Sequence, residues 1–436
     1  MLQETDIEQI ISIEQEKLIV PNFPTIPFIP GDGIGPEVWK ASEKVINTAI
    51  DIAYRGEKRI VWKEVLAGEK AFTETGSWLP EQTLSDFRKY IVGIKGPLTT
   101  PVGGGIRSLN VALRKDLDLY VCFRPVRWFP GIPAPVLHPE NVNITIFREN
   151  TEDVYSGIEF AANSPESNLF LELLEQNFPN EKQKIRFQEN VGLAIKPISK
   201  AGSERLVRAA VEFALKSHKK TITLVHKGNI MKFTEGAFLE WGYEIIEQNY
   251  GSFVYTSRQW QLSKKVEGEE IANQKKTTAL NTGKIWVNDI ITDAAFQQVL
   301  LYPQDFDLLV ATNLNGDYLS DALAAQVGGI GISPGANINY LSGIAIFEAT
   351  HGTAPMIAGK NLANPSSLIL SAVMLLKYIG WETAADLIIS GLESTIKHKS
   401  LTADLSGFVE NAKQVGTNEF ADHICAAMTD FIKQEK

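Results

Sequence analysis

Short apolar runs alternate with longer amphipathic stretches along most of this chain, the pattern of strands interleaved with helices in an α/β protein. Ile26–Ile29 is a run that ends at Pro30 and leads into Gly31-Asp32-Gly33-Ile34-Gly35-Pro36. From near Glu37 the residues Val38, Ala41, Val45, Ile46, Ala49 and Ile50 recur with helical spacing, which predicts a helix with one buried side. Val142–Phe147 reads as a strand. Ser203 is placed to cap a helix over Glu204–Lys216, with Leu206, Ala209, Ala210, Phe213 and Ala214 on one face. Thr221–Val225 is a β-branched strand that ends at His226-Lys227. Leu308–Thr312 is a buried strand, followed by the polar turn Asn313-Leu314-Asn315-Gly316 and a helix. From Ser366 onward, Leu368, Ile369, Ala372, Val373, Leu375 and Leu376 predict helical core.

Two segments break the rhythm. Ser164–Gln188 is polar and charged and precedes an expected strand at Val191–Ile195, and Ser263–Thr282 is rich in Lys, Glu, Gln and Thr and reads as an exposed helix or loop. No repeat or low-complexity tract appears. A length of 436 residues allows two or three domains. The net charge of −10 argues against a nucleic-acid or anionic-membrane partner, because either needs a basic field. Cys122 and Cys425, the two cysteines, give no disulfide framework and fit a reducing compartment. The acidic first twenty residues lack the basic start and apolar run of a signal peptide, and no apolar stretch reaches transmembrane length, so a cytoplasmic location is expected.

Within this acidic chain, Arg114, Arg124, Arg127 and Arg148 follow a glycine-rich turn at Gly103-Gly104-Gly105, with Thr100, Ser108, Asn110 and Tyr155 interleaved. Each arginine alone is an ordinary ion-pair partner. Together their planar donor forks suit a polycarboxylate or a phosphate. Gly31-x-Gly33-x-Gly35 follows a strand but lacks the dinucleotide fingerprint spacing, so it is a weak Rossmann signal. Asp317 and Asp321 lie four apart, which on a helix puts both carboxylates on one face. They suit Mg²⁺ or Mn²⁺, or else form an acidic helix start favoured by the macrodipole. Asp289 is a third possible ligand that nothing local requires. Lys227 at a strand end is either a desolvated base or a solvated lysine. His351, in a turn-rich segment, suits a flat base or a structural role equally.

The motifs taken together resemble one family. Gly96-Pro97-Leu98-Thr99-Thr100-Pro101, Gly105-Ile106-Arg107-Ser108-Leu109-Asn110-Val111, Phe147-Arg148-Glu149-Asn150 and Val225-His226-Lys227-Gly228-Asn229 carry the likeness. So do Asn313-Leu314-Asn315-Gly316-Asp317-Tyr318, Asp321-Ala322-Leu323 and Phe347-Glu348-Ala349-Thr350-His351-Gly352-Thr353-Ala354-Pro355. In order from Ile26 they are similar to the bacterial isocitrate dehydrogenase branch of the decarboxylating β-hydroxyacid dehydrogenases.

The resemblance implies an isocitrate/isopropylmalate dehydrogenase-like, non-Rossmann α/β fold. Its large domain would take residues 1–119 and 328–436, its small domain 120–152 and 200–327, and a dimer clasp 153–199. It implies a homodimer with shared active sites, using Mg²⁺ or Mn²⁺ to convert isocitrate to 2-oxoglutarate and CO₂, as in the tricarboxylic acid cycle. Ser108, Asn110, Arg114, Arg124 and Arg148 would hold the carboxylates, with Thr100 between substrate and nicotinamide. Asp317 and Asp321, with Asp289 of the neighbouring subunit, would bind the metal. Tyr155 and the neighbour's Lys227 would handle the protons. Ile34, Thr100, Asn229, His351, Gly352, Thr353, Ala354, Met356, Ile357 and Asn364 would line the coenzyme.

One departure bears on the coenzyme. NADP-using bacterial members carry a Lys-Tyr pair after His-Gly-Thr-Ala-Pro and a later Tyr and Arg, where this chain has Met356-Ile357, Ala403 and Gly407. Losing those donors weakens a grip on a 2′-phosphate, so NAD is expected over NADP, although NAD-using relatives have Asp at the position of Met356 and Lys360, Lys397, His398 and Lys399 lie close in sequence. The Ser108-x-Asn110 pair argues against 3-isopropylmalate and homoisocitrate as substrates. The full set of metal and proton-transfer residues argues against a catalytically silent regulatory subunit.

Overall fold

The apolar runs pair into one mixed sheet of eleven strands in a computed structural model that describes residues 8–15, 17–99 and 108–434. Thr100 and the glycine-rich turn therefore lie outside the described residues. In chain order the strands are β1 (Thr25–Ile29), β2 (Val61–Glu64), β3 (Val92–Lys95), β4 (Val121–Arg127), β5 (Asn143–Glu149) and β6 (Thr221–His226). They continue as β7 (Val254–Thr256), β8 (Ile285–Ile291), β9 (Leu308–Ala311), β10 (Pro334–Ile338) and β11 (Ala345–Ala349). Their order across the sheet is β7-β8-β6-β9-β5-β4-β10-β11-β3-β1-β2.

Two parallel wings, β7 to β5 and β11 to β2, are joined through β4 and β10, whose pairings at this centre are all antiparallel. Because three antiparallel steps separate them, the wings run in opposite directions. Side chains alternate between the two faces of a strand. In β9, Leu308 and Val310 enter one core with β6 and two helices, α3 (Lys200–Lys216) and α4 (Glu235–Tyr250); Leu309 and Ala311 enter another with α5 (Asn313–Gln326). The largest apolar cluster joins both ends of the chain. It packs helix Gly35–Tyr54 against Ser366–Tyr378, Glu382–Lys397 and Thr417–Gln434.

Several local expectations need correcting. The helix over Lys200–Lys216 begins four residues before Glu204, and its cap is Ser199, whose side chain accepts from the Gly202 amide at 3.0 Å. Ser203 is buried and its hydroxyl instead donates to the Ser199 carbonyl at 2.7 Å. Asn313-Leu314-Asn315-Gly316 is not a turn but the first turn of α5, because buried acceptors from other segments satisfy its donors. Only Leu193–Ala194 of the expected strand at Val191–Ile195 pairs, with Glu159–Phe160. The polar segments form helices: Pro165–Asn177 capped by Ser164, then Ser257–Glu267 and Glu269–Asn281. Among the described residues no helix is long and apolar enough to cross a membrane.

Candidate active site

The centre of the sheet holds a cluster of buried charges. Lys95 ends β3, Arg124 lies in β4, Arg114 comes from the short helix α2 (Leu109–Asp116), and all three converge on Glu348 of β11. Lys95 Nζ lies 2.8 Å from Glu348 Oε2, while Arg114 Nη2 and Arg124 Nη2 lie 2.9 and 3.5 Å from Oε1. The register explains how Arg124 gets there. Gly335 of β10 is opposite Glu348, and a Cβ on Gly335 would sit 3.0 Å from Arg124 Nε, so the missing side chain leaves the guanidinium its path. Burial opposes the Glu348 charge, but the three cations prevail and hold its carboxyl well below the usual carboxylate range. Burial also lowers the Lys95 ammonium, against the pull of Glu348. Three cations around one anion leave surplus positive charge, which suits an anionic ligand. Arg114 Nε and Asn110 Oδ1 are buried with no partner among the described residues. Ser108 stands at the N-cap of the same short helix without a side-chain cap bond. Arg127 turns away, towards Glu393 and the Phe129 ring.

A second cluster joins β5 to α5. Arg148, 1% exposed, directs Nε and Nη2 to Asn313 Oδ1 at 2.9 and 2.8 Å, and its Nη1 donates to Asp317. The Tyr155 hydroxyl donates to the other oxygen of Asp317, and the Arg148 guanidinium lies 5.0 Å from the Tyr155 ring centre. Burial, helped by the bond to Asp317, pushes the Tyr155 phenol up to about 12. The phenol is therefore protonated at neutral pH, as a proton donor must be. Asp317 and Asp321 share a face of α5, as their spacing predicts. Burial raises the Asp321 carboxyl, and the nearby Asp317 charge adds to this.

These two carboxylates suit a hard divalent cation, which takes oxygen donors and would relieve their repulsion. Among the described residues no group of three His, Cys, Asp or Glu side chains could hold a metal ion. Asp289 of β8 is bonded instead to His226 Nε2 at 3.2 Å and to the Tyr243 hydroxyl at 2.6 Å. Burial works against its charge, but those two bonds prevail and hold it below the ordinary aspartate range. The Lys227 ammonium pairs with Asp293, a partner that sequence reasoning did not indicate. Asn229 lines a cavity of about 670 Å³ with His226, Phe233 and Trp241, and no residue of the turn at His351 shares it.

That turn is built against the start of α1 (Gly35–Tyr54). The Ile34 amide donates to the Thr353 carbonyl at 2.9 Å. Gly33, at φ +59°, packs so closely that a Cβ would lie 2.1 Å from that carbonyl oxygen. The Gly31–Gly35 loop is thus closed by the Thr353 and Pro97 backbones and is no Rossmann phosphate cradle. His351 Nδ1 lies 2.9 Å from the Gly352 carbonyl, and burial lowers the imidazole, so Nδ1 carries the proton. Its Nε2 is then a buried acceptor with no partner among the described residues, as a nucleobase amino group requires. Gly352 is exposed and Ala354 takes a left-handed backbone at φ +40°. Asn364 bonds Asp404 at 3.0 Å. Met356 is 81% exposed and Ile357 packs against the large apolar cluster, so neither presents charge to a phosphate.

Sequence reasoning assigned no role to Glu348, Lys95, Asn313 or Asp293. A charged residue in the otherwise apolar runs Ala345–Ala349 and Val92–Lys95 is the signal that marks the first two.

Known proteins resemble this chain over nearly its whole length. The isocitrate dehydrogenase (NADP) of Staphylococcus epidermidis is 54% identical over 414 residues, covering 95% of this chain and 98% of that protein. The protein of the same name from Streptococcus mutans serotype c is 52% identical over 396 residues, or 91% and 94% of the two chains. The crystal structure of isocitrate dehydrogenase from Methylococcus capsulatus matches with a TM-score of 0.73 at 36% identity, covering 93% of this chain and 99% of that one. A family model described as isocitrate/isopropylmalate dehydrogenase matches residues 25–424, and the chain belongs to that family.

Proposed function

We propose that this protein is an NAD(P)-linked isocitrate dehydrogenase that oxidises and decarboxylates isocitrate to 2-oxoglutarate as a homodimer with shared sites. The observation that carries the reading is the Tyr155–Asp317–Arg148 constellation, in which a protonated phenol meets a carboxylate on the face shared with Asp321, beside a buried guanidinium.

Arg114, Arg124 and Arg148, with Ser108 and Asn110, bind the carboxylates of the substrate, and Arg114 Nε, unpartnered among the described residues, supplies a free donor for them. Lys227 and Asp289 serve the site of the other subunit, which accounts for their not meeting Asp317 and Asp321 within one chain. Asp317, Asp321 and that Asp289 would hold Mg²⁺ or Mn²⁺, which when bound lowers the pKa of the substrate hydroxyl and stabilises the charge left as CO₂ departs. A base assembly of Lys227 and a metal-site aspartate takes the hydroxyl proton as hydride leaves for the nicotinamide, and Tyr155 returns a proton to C3. Ile34, Asn229, His351 to Ala354, Met356, Ile357 and Asn364 hold the coenzyme, with His351 Nε2 as the acceptor for its base.

The expected preference for NAD gains no support from the relatives, whose names specify NADP. The ratio of kcat/KM for NAD and NADP on one preparation measures the preference. The purified chain, given Mg²⁺ and either coenzyme, is expected to reduce it in step with isocitrate consumed and 2-oxoglutarate formed. Faster oxidation of 3-isopropylmalate or homoisocitrate, or no turnover without a second polypeptide, overturns the reading.

A further inference from the structure

Glu235 opens α4 and is fully buried, at 0% exposure. An isolated carboxylate would not tolerate that environment, so its partners define its role. Each oxygen takes two donors. Oε2 accepts from the Lys227 amide at 3.0 Å and from Asn315 Nδ2 at 2.8 Å. Oε1 accepts from the Thr312 hydroxyl at 2.9 Å and meets Lys196 Nζ at 2.9 Å. Lys196 in turn reaches Asp153 Oδ1 at 2.5 Å. Asp153 Oδ2 accepts from the Leu314 amide at 3.0 Å, so it caps the first turn of α5 from another segment. Asp153 also begins the short helix Asp153–Ser156 that carries Tyr155.

We propose that Glu235 is a positioning residue for the reaction. Its buried chain Glu235–Lys196–Asp153 locks together the loop that presents Lys227, the first turn of the helix that presents Asp317 and Asp321, and the turn that presents Tyr155. The role in turnover rests on the functional reading above, whereas the lock itself does not. Two features distinguish the chain from ordinary packing. All four acceptor positions of the Glu235 carboxylate are filled, by the Lys227 loop, by Thr312 and Asn315 at the start of α5 and by Lys196, and Lys196 carries the chain on to the turn that holds Tyr155. The chain also alternates in charge, so removing its central cation leaves two facing carboxylates with no cation between them. By the same assignment it connects residues that act in this subunit's site with residues lent to the other.

Glu235→Gln keeps the shape but offers one acceptor oxygen, so two of the four donors lose their partner. Lys196→Met removes the middle cation, and Lys196→Arg keeps it. Glu235→Gln and Lys196→Met are expected to lower kcat by about tenfold or more while KM for isocitrate moves less than about threefold, with Lys196→Arg close to wild type. Amide hydrogen exchange is read on the same preparations. It should quicken in the peptides holding Lys227 and Leu314 and stay unchanged in helix Gly35–Tyr54. Unchanged kcat in folded Glu235→Gln or Lys196→Met overturns the proposal, as does a lowered melting temperature with kcat and KM unmoved. If Glu235→Gln does not fold, Lys196→Met and its Arg counterpart decide. If the wild type fails to oxidise isocitrate, the functional reading falls by itself. Unaltered exchange at Lys227 then still overturns the lock.

Discussion

Replacing Glu348 by Gln tests the electrostatics at the centre of the sheet. The substitution preserves volume and removes the one anion facing Lys95, Arg114 and Arg124, each of which is at least nine-tenths buried. At an effective dielectric near 20, a unit pair about 3 Å apart attracts by roughly 5 kcal/mol. Repulsion among the three cations and the loss of their hydration offset most of that attraction. Truncating one member of a buried ionic group costs about 3–5 kcal/mol overall. With an unfolding entropy of about 2.1 cal/mol/K per residue, a chain of 436 residues should lose about 3–6 °C in Tm. Lys95 adds a pH signature. Burial already holds its ammonium below the ordinary 10.5, and loss of the neighbouring carboxylate lowers it further. Between that lowered value and 10.5 the unfolded chain binds more protons than the folded one, so stability rises with pH across this window. The deficit should therefore shrink as Lys95 goes neutral, at a pH below the ordinary 10.5. Circular dichroism melts of variant and wild type at a lower pH and at a higher pH within that window check this. A Tm within about 1 °C of wild type at the lower pH, or a gap that widens at the higher one, would refute the reasoning.

Three further outcomes are expected. Tyr155→Phe and Lys227→Met should each slow steady-state turnover by at least about tenfold to a hundredfold with little change in Tm, and near-normal turnover in both would remove their assigned roles. Asp321→Asn should raise the Mn²⁺ concentration for half-maximal activity by about tenfold or more, and excess EDTA should stop wild-type turnover until metal is restored; a metal titration unchanged by the substitution contradicts the site. Gly33→Ala forces a Cβ to 2.1 Å from the Thr353 carbonyl at a φ of +59°, so it should cost about 1–3 kcal/mol in urea unfolding and raise the coenzyme KM more than the isocitrate KM. An Ala variant of full stability would show that the turn gives way freely.

Periodicity located the main elements because it reports burial, and burial is what the cores impose. The strand expected at Ile26–Ile29 is found at Thr25–Ile29, and the helix expected from near Glu37 starts at Gly35. Element starts were harder to read. Ser199 and Ser203 are both competent caps, and only the helix packing shows that Ser203 is buried one turn inside. The start of α5 was misread because Asn and Gly favour turns in isolation, whereas here Asp153 and Glu235 supply the acceptors that make them helical. Arg114, Arg124 and Arg148, and Asp317 with Asp321, stood out by type and spacing, and the structure gathers them into two clusters that Asp289 and Arg127 do not join. Their partners did not stand out. Glu348 meets Arg114 across 234 positions of sequence, and nothing local to either residue encodes that distance.

The largest apolar cluster, assembled from both ends of the chain, has a consequence for how the protein is made. Helix Gly35–Tyr54 emerges first, yet Val38, Val45, Ile46 and Ala49 find their cover on helices that begin at Ser366. Roughly 300 residues must be synthesised in between, which at about 5–20 residues per second takes some 15–60 s. Through that interval the amphipathic helix has its apolar face open to water or to a chaperone. The middle of the chain, meanwhile, can pack β4 to β9 with its own helices. Folding should thus proceed from the centre outward, with the N-terminal segment docking late, and truncation before Ser366 should leave a soluble core trailing an unfolded leader.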